Sequence, residues 1–253
     1  MRNLAAVPSN VSRLIDHFFD TPMKVDRKGE LHDISRSSLR RSEALTLAAL
    51  VYDLRPEKSI EIGIAEGGSC VAISASRRHL QLFASHVVLD PFQETLTEEA
   101  GLIELKRLGL RDAIIWHPER SESFLHKQWK SGETDFDFAF VDGGHDVGQK
   151  VTDAFYLNKV LRPGGVIAFH DALLFSTASA VYYLVKERGY SIIVLPADGR
   201  LYRILRSIRY AFRLGRWYSL HVIPALCRSL VALRKPVAGE RSSKERSSVL
   251  IVA

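Results

Sequence analysis

The chain has 253 residues, of which 35 are Lys or Arg and 29 are Asp or Glu, giving a formal net charge of +6. An apolar fraction of 46% with 25% charged residues is typical of a globular protein with a buried core, and it excludes wholesale disorder and collagen-like repeats. The two cysteines, Cys70 and Cys227, lie far apart and indicate neither a disulfide framework nor a zinc site.

The positive charge is concentrated at the C-terminal end of the chain. Residues 206–253 contain ten basic and two acidic side chains, a net charge of +8, whereas residues 1–205 carry a net charge of −2. The overall charge therefore says little about a site in the body of the protein. No secretory signal is predicted after Met1, and the apolar run at 217–233 is too interrupted for a spanning helix, so we expect a cytoplasmic protein.

Short apolar segments alternate with helix-length amphipathic segments from Leu45 to Val194, which indicates βαβ units and a parallel sheet. The predicted fold is α/β, with a doubly wound, mostly parallel, seven-stranded sheet. Its last two strands form an antiparallel hairpin around a turn-like segment. In chain order, a first helix is predicted at 42–51, strands at 58–63, 85–90, 113–116, 136–142, 166–170, 191–195 and 201–205, and the intervening helices at about 68–78, 94–108, 121–130, 147–160 and 176–188.

Three regions are predicted from this pattern. Residues 1–40 form an N-terminal cap segment, residues 41–205 form the α/β domain, and residues 206–253 form a basic, amphipathic, helical C-terminal extension. Helical spacing places four arginines of the extension on one face, and its Ser-rich, charged end is predicted to be disordered. The arginines are Arg206, Arg209, Arg213 and Arg216.

A glycine-rich turn follows the first strand and opens a helix, with the sequence Glu61-Ile-Gly63-Ile-Ala-Glu-Gly67-Gly-Ser69. A phosphate-binding loop of the G-x-x-x-x-G-K-[ST] type is excluded, because no Lys follows Gly68. The dinucleotide fingerprint G-x-G-x-x-G is excluded as well, because position 65 is Ala.

The pattern E-x-G-x-x-x-G-x-S resembles motif I of the class I S-adenosylmethionine-dependent methyltransferases. In that family the loop wraps the amino-acid end of the cofactor, and the acid in the strand helps to hold it. The resemblance implies that Glu61, Gly63, Gly67 and Ser69 bind S-adenosylmethionine. The alternative is a tight turn between a strand and a helix with no ligand.

Two further positions support a cofactor site. Asp90 ends the second strand, where a carboxylate can accept hydrogen bonds from both ribose hydroxyls. Rossmann dehydrogenases bind the ribose of their cofactor in the same way, so Asp90 alone does not distinguish the two cofactors. Asp90 could instead be the N-cap of a helix. Ser121 lies in a segment similar to the family's G-x-S-x-x-x-L motif beside the adenine, although Glu119 replaces the glycine, and Ser121 could equally be a helix N-cap.

The most specific block joins Asp142-Gly-Gly-His145, at the end of the fourth strand, to Leu-Arg-Pro-Gly-Gly and a fifth strand ending in His170-Asp171. It resembles a methyltransferase subfamily that includes macrolide-sugar O-methyltransferases and is related to catechol-type, cation-dependent enzymes. The resemblance covers about residues 39–205. It implies that Asp142 lies beside the cofactor and that this edge of the sheet serves the methyl acceptor.

Two schemes for activating the acceptor remain open. By resemblance to the cation-dependent enzymes, Asp142, His170 and Asp171 would bind a divalent cation, Mg²⁺ or Mn²⁺. The catechol-type pattern has Asp-Asn where this chain has His-Asp, and a His ligand suits Mn²⁺ better than Mg²⁺. In the metal-free scheme, His145 or His170 is the general base. Either histidine could instead be a hydrogen-bonded structural residue.

The sequence therefore predicts a methyltransferase, with O-methylation of a small hydroxylated metabolite or a glycan as the preferred activity. The alternatives are an RNA-directed methyltransferase and a non-catalytic module that binds a membrane or a partner through its tail. Asp-Gly-Gly-His stands where N-methylating nucleic-acid enzymes usually have [DN]-P-P-[FY], so nucleic acid is disfavoured. Residues 206–233 could contact an anionic membrane surface or a nucleic-acid backbone, or could pack on the body or on a second subunit. The apolar run at 220–233 favours a membrane over RNA, and homo-oligomerisation is left open.

Overall fold

The computed structural model describes residues 4–34, 39–195, 208–210 and 213–237. Its N-terminal part is a helix, α1 (Ser9–Asp20), and a short antiparallel hairpin of β1 (Met23–Val25) and β2 (Leu31–Asp33). Helix α1 buries Val11, Ile15 and Phe18, which share one helical face, and it packs against helices of the main domain.

The main domain is a seven-stranded sheet with the strand order β5-β4-β3-β6-β7-β9-β8. The five strands from β5 to β7 are parallel, and β9 is antiparallel to both of its neighbours. The predicted α/β fold is therefore confirmed, with six of its seven strands at the predicted places. The strands are β3 (Ser59–Ile62), β4 (His86–Leu89), β5 (Ile115–His117), β6 (Phe136–Val141), β7 (Leu161–Phe169), β8 (Ser191–Ile193) and β9 (Val231–Arg234).

Helices cover both faces of the sheet. Side chains alternate between the two layers along the central strands, because successive strand residues point to opposite faces. Phe138 and Phe140 of β6 pack in the layer of α1, α2 and α3, whereas Ala139 and Val141 pack in the layer of α6 and α7. The helices are α2 (Arg41–Leu54), α3 (Gly68–His79), α4 (Ala100–Arg107), α5 (Ser121–Ser131), α6 (Val147–Val160), α7 (Phe175–Tyr182, continued by a π-helical turn at Tyr183–Glu187) and α8 (Arg216–His221).

The C-terminal boundary of the α/β domain, predicted at residue 205, is wrong because one strand of the sheet lies beyond it. Strand β9 lies beyond it, yet it is inserted between β7 and β8 and hydrogen-bonds to both. The predicted partner of β8 at 201–205 lies outside the described residues, as do Arg206 and the segment predicted to be disordered at 237–248 except its first residue, Val237. The sequence Val231-Ala-Leu-Arg234 gives no separate strand signal, because it continues the apolar run at 217–233 without a break.

The apolar run at 220–233 is largely core. Val222, Ile223, Leu226, Leu230, Val231 and Leu233 are all fully buried. Within the described part of 206–233, Ile208 and Leu220 are the large aliphatic side chains that remain exposed. The main argument for a membrane-facing tail therefore fails, because the aliphatic side chains are buried inside the protein. The described part of the chain has no helix both long and apolar enough to cross a membrane.

Candidate active site

The glycine turn between β3 and α3 has a backbone that requires glycine at its first position. Gly63 has φ +85°, and a Cβ there would lie 2.7 Å from the carbonyl oxygen of Asp142. The turn therefore brings the ends of β3 and β6 into direct contact. Gly67, with φ +100°, is the N-cap of α3, so unpaired amide groups at the start of that helix face the turn.

Glu61 and Ser69 support this turn from beneath. Both side chains are buried, and Ser69 Oγ donates to Glu61 Oε1 at 2.5 Å. The other carboxylate oxygen lies 3.1 Å from His86 Nε2. Glu61 therefore fixes the turn through Ser69 and His86, and it does not reach the cavity above them.

A cavity of about 280 Å³ opens at the carboxyl edge of the sheet, above β3 and β4. In open α/β sheets, ligands bind at this edge. Four of the predicted cofactor-binding residues line it, while Glu61, Gly67 and Ser69 lie outside its wall. Its lining is Ile62, Gly63, Ala65, Leu89, Asp90, Pro91, Phe92, Leu96, Thr97, Arg120, Ser121, Asp142, Gly143, Gly144 and Gln149.

Asp90 both lines the cavity and holds the glycine turn. Its Oδ2 accepts hydrogen bonds from the backbone N–H groups of Ile64 and Ala65, at 3.1 and 3.2 Å. Its Oδ1 accepts one from the Phe92 N–H at 2.8 Å. A carboxylate has about four lone-pair sites, so Oδ1 retains capacity for a hydroxyl donor from a ligand.

Ser121 lies at the cavity wall as the first residue of α5, and Arg120 is the N-cap of that helix. The alternative that Ser121 caps the helix is therefore wrong. Ser121 Oγ donates to Asp153 Oδ1 at 2.6 Å, and it accepts from Gln149 Nε2 at 3.1 Å. Burial raises the pKa of Asp153 to about 6, although the hydrogen bond from Ser121 lowers it.

Four predicted residues meet at the ends of β6 and β7, and we call them the strand-end cluster: Asp142, His145, His170 and Asp171. His170 Nδ1 lies 3.1 Å from Asp142 Oδ1 and 3.5 Å from Asp171 Oδ1. His145 Nε2 lies 3.0 Å from Asp171 Oδ2. Asp142 also lines the cavity, so the cluster and the cavity share a wall.

His170 is enclosed by carboxylates on both sides of its ring. Its Nε2 lies 3.4 Å from Glu43 Oε2 and 3.2 Å from Ser229 Oγ. Burial lowers the pKa of His170, but hydrogen bonds with Asp142, Asp171 and Glu43 outweigh burial and raise it to about 12. His170 is therefore a buried imidazolium at neutral pH, which has no lone pair to accept a proton.

His145 has a different environment. Its side chain is 61% exposed, and its one ion-pair partner among the described residues is Asp171. Asp171 itself has φ +53°, a left-handed conformation that is strained for a non-glycine residue and that often marks functional sites. The contact of His145 Nε2 with Asp171 Oδ2 restrains the imidazole and leaves Nδ1 available as a base, by analogy with other histidine–aspartate pairs.

The spacing of Asp142, His170 and Asp171 would suit one metal ion, since their ligand atoms lie within 4.8 Å of one another. The surroundings of His170, however, do not suit a metal ligand. A ring nitrogen must be deprotonated to bind a metal, and both ring nitrogens of His170 face carboxylates. Asp142 and Asp171 remain, and Mg²⁺ is commonly bound through one or two carboxylates with water completing its shell. As the residues are arranged, His170 does not fit the predicted role of a metal ligand, and a cation would depend on Asp142 and Asp171 alone.

Two residues of this site were missed by sequence reasoning. Glu43, in the first turn of α2, accepts hydrogen bonds from the backbone N–H of Arg40 and from both the N–H and the Oγ of Ser229. Glu43 precedes an apolar run at a helix start, which is a capping signal and gives no hint of a tertiary role. No sequence motif marks Ser229 as a site residue, because it lies in the segment predicted as a C-terminal extension.

Comparison with known proteins agrees with this geometry. Residues 60–172 match the family model described as a methyltransferase domain. This segment contains the glycine turn, Asp90, Ser121 and the strand-end cluster. No curated protein sequence matches the chain.

Similar solved structures share the fold over nearly the whole chain. An O-methyltransferase from Bacillus cereus in complex with S-adenosylhomocysteine is 12% identical, with a TM-score of 0.56, and the match covers 90% of this chain and 92% of that one. TomG from Streptomyces achromogenes, an O-methyltransferase involved in tomaymycin synthesis, in complex with S-adenosylmethionine, is 14% identical, with a TM-score of 0.53 and 91% coverage of each chain.

The Podospora anserina methyltransferase PaMTH1, bound to S-adenosylhomocysteine, is 16% identical, with a TM-score of 0.55, covering 92% of this chain and 90% of that one. At these identities the likeness establishes the fold. The family match covers the segment that carries the site. It agrees with the resemblance drawn from the motifs, and the similar structures show that the chain has the class I methyltransferase fold.

Proposed function

We propose that this protein transfers the methyl group of S-adenosylmethionine to a hydroxyl oxygen of a small molecule. The observation that carries the proposal is the position of Asp142, which belongs both to the cavity and to the strand-end cluster. A cofactor in the cavity would thus have its reactive end beside groups that can handle a proton. Similar structures solved with S-adenosylmethionine or S-adenosylhomocysteine support the choice of cofactor.

The cavity supplies the contacts that the cofactor needs. Asp90 Oδ1 would accept hydrogen bonds from the ribose, and the turn at Gly63 and Ala65, which lines the cavity, would lie against the methionine part. Gly63 and Gly143 keep side chains away from the junction of β3 and β6, since a Cβ at Gly143 would lie 3.0 Å from Ile62 Cγ2.

Methyl transfer is an in-line displacement at the carbon bound to the sulfonium. The acceptor oxygen forms the new O–CH₃ bond while the C–S bond breaks, and S-adenosylhomocysteine leaves with the electron pair. The acceptor's proton goes to Nδ1 of His145, which Asp171 orients. Holding oxygen, methyl and sulfur in line provides much of the acceleration.

His170 has a separate role in this proposal. As an imidazolium it cannot accept a proton, so the predicted role of general base falls to His145. His170 instead fixes the carboxylates of Asp142 and Asp171 and neutralises part of their charge. Because both ring nitrogens of His170 face carboxylates and one of the three predicted metal ligands is thereby lost, we favour the metal-free scheme of activation over the cation-dependent one.

The test is a methyl-transfer assay on the full chain with S-adenosylmethionine and a panel of phenols, catechols and hydroxylated glycosides. Formation of S-adenosylhomocysteine that depends on one acceptor class, in the presence of a chelator, is the expected result. Methylation of RNA but of none of the small molecules would contradict the acceptor class. A glycan acceptor, membrane contact, cytoplasmic location and homo-oligomerisation stay predictions.

A further inference from the structure

The loop that joins β4 to α4, residues 90–99, forms one wall of the cavity and ends in a strained backbone. Glu98 has φ +43° and Glu99 has φ +64°, so two successive non-glycine residues adopt the left-handed conformation. Such residues are costly, and they persist only where surrounding contacts hold them in place. The loop residues that line the cavity are Asp90, Pro91, Phe92, Leu96 and Thr97.

The contacts that hold Glu98 and Glu99 come from the N-terminal hairpin. Arg27, in the turn between β1 and β2, places Nη2 2.7 Å from Glu98 Oε2 and Nη1 3.3 Å from Glu99 Oε1. The backbone N–H of Arg27 donates to the carbonyl oxygen of Glu98 at 2.8 Å. Lys28 Nζ donates to the other carboxylate oxygen of Glu98 at 2.7 Å. The hairpin therefore holds both the backbone and the side chain of the strained residue.

The turn that carries Arg27 is itself fixed by hydrogen bonds. Asp26 is buried, and its Oδ1 accepts hydrogen bonds from the N–H groups of Lys28 and Glu30, both at 2.8 Å. Its Oδ2 lies 2.8 Å from Nε2 of His32 in β2. Arg27 therefore reaches the loop from a turn whose backbone conformation is already determined.

Gln93 joins this loop to the glycine turn and to Asp90. Its side chain is fully buried, and its Nε2 donates to the carbonyl oxygen of Ala65 at 2.8 Å and to Asp90 Oδ2 at 3.3 Å. Its own carbonyl oxygen accepts a hydrogen bond from the N–H of Glu99 at 2.6 Å. Ala65 also has a left-handed backbone, with φ +42°. Gln93 thus links the strained end of the loop to two residues of the cavity wall.

We propose that Arg27 and Gln93 are positioning residues for the cofactor. Arg27 holds the loop between β4 and α4 from the N-terminal hairpin, and Gln93 holds Asp90 and Ala65 against that loop. Neither side chain lines the cavity, so both act through the residues that do. The affinity for S-adenosylmethionine then depends on a part of the chain outside the matched methyltransferase segment. The inference rests on the proposed function, because S-adenosylmethionine is the ligand that is measured.

The experiment is a calorimetric titration of the full chain with S-adenosylmethionine at low and at high salt. Arg27→Met should weaken binding by about 3- to 10-fold at low salt, and the difference should shrink at high salt, which screens exposed ion pairs. Arg27→Lys should recover part of the loss, because it keeps the charge. Gln93→Met removes the donor to Ala65 and should weaken binding by about 5- to 150-fold at both salt concentrations.

A double-mutant cycle isolates the ion pair between Arg27 and Glu98. Glu98→Gln alone should weaken S-adenosylmethionine binding by a factor similar to that of Arg27→Met. Adding Arg27→Met to Glu98→Gln should cost less affinity than Arg27→Met costs in the wild type, because the charged partner is already gone. An equal cost in both backgrounds would show that Arg27 acts without Glu98, which overturns the inference.

Arg41→Met is the matched control. The Arg41 side chain is 52% exposed, against 51% for Arg27, and its ion pair with Asp16 joins α2 to α1 instead of the hairpin to the loop. Its Kd for S-adenosylmethionine should equal that of the wild type, and a loss as large as that of Arg27→Met overturns the inference. Urea denaturation verifies that each variant folds. If Gln93→Met does not fold, the Arg27 variants decide alone, since that side chain is half exposed.

The outcomes separate this inference from the proposed function. A wild type that binds S-adenosylmethionine, with Arg27→Met binding it equally well, overturns the inference and leaves the proposed function intact. Absence of saturable binding by the wild type overturns both.

Discussion

The two halves of the candidate site are built in different ways. The cavity above β3 and β4 is formed by glycine-containing turns and mostly uncharged side chains, and its charged residues are Asp90, Arg120 and Asp142. The strand-end cluster consists of charged side chains, and its supports come from both ends of the chain, Glu43 in α2 and Ser229 before β9. Asp142 is the residue that the two halves share.

The difference shows how binding and proton transfer depend on separate features. The cavity half depends on backbone conformation, so glycine positions and the acceptor capacity of Asp90 determine what binds. The cluster half depends on a balance of buried charges, so the partner of each histidine determines its role. Substitutions in one half should therefore change cofactor affinity, and substitutions in the other should change turnover.

The largest expected effect is in the cluster half. His145→Gln should lower kcat by about 100- to 10,000-fold, the usual contribution of a general base, while the Kd for S-adenosylmethionine stays the same. His126→Gln is the control, because His126 is an exposed histidine on α5 that contacts Tyr156 and Trp129. Steady-state kinetics and calorimetry measure the two quantities. If His145→Gln lost S-adenosylmethionine affinity and turnover to the same extent, the two halves of the site would not have separate functions.

A change in the cavity half should have the opposite signature. Gly63→Ala places a Cβ against the Asp142 carbonyl and forces alanine to adopt a positive φ, a strain of about 1–3 kcal/mol that should weaken cofactor binding by about 5- to 150-fold. Gly132→Ala is the matched control, since Gly132 has φ +82° with open space around it. If both variants bind the cofactor equally, the close approach at Gly63 is irrelevant to the site.

A more moderate loss is expected for Asp90→Ala. The substitution removes the predicted ribose acceptor and leaves the N–H groups of Ile64 and Ala65 without their partner, at a cost of about 1–3 kcal/mol. Asp112→Ala, which breaks an exposed ion pair with Arg78, should change binding little. Calorimetry with S-adenosylmethionine provides the comparison, and an unchanged Kd for Asp90→Ala would exclude Asp90 from the site.

A last effect is a pH dependence of stability that arises from Asp153, the buried partner of Ser121 at the cavity wall. Burial raises the pKa of Asp153 from 3.8 to about 6, so the folded protein holds this proton more tightly than the unfolded chain. The contribution of Asp153 to the stability of the wild type should therefore fall as pH rises from about 4 to 6. Asp153→Asn cannot ionise, so its stability relative to the wild type should rise over that range and level off above it. Urea denaturation at several pH values measures the difference, and a flat difference would contradict the raised pKa.

The sequence was sufficient for most of the fold and for four residues of the cavity wall, because these depend on local signals. Gly63 and Asp90 follow buried strands, and parallel strands bring their carboxyl ends to one edge of a sheet. The seventh strand was misplaced, since Val231–Arg234 pairs with strands over 60 and nearly 40 residues away in sequence, with nothing local to indicate the partner. The roles of His145 and His170 could not be separated either, because Glu43 and Ser229 distinguish them and both come from distant segments.

The central claim is that one half of the site binds the cofactor while the other activates the acceptor. Its most direct test is a calorimetric titration with S-adenosylmethionine of the wild type and of His145→Gln, side by side. Our account predicts saturable binding with the same micromolar Kd for both, although the variant has lost methyl transfer. Absence of saturable binding by the wild type, or a Kd weakened in His145→Gln as much as in Asp90→Ala, would contradict it.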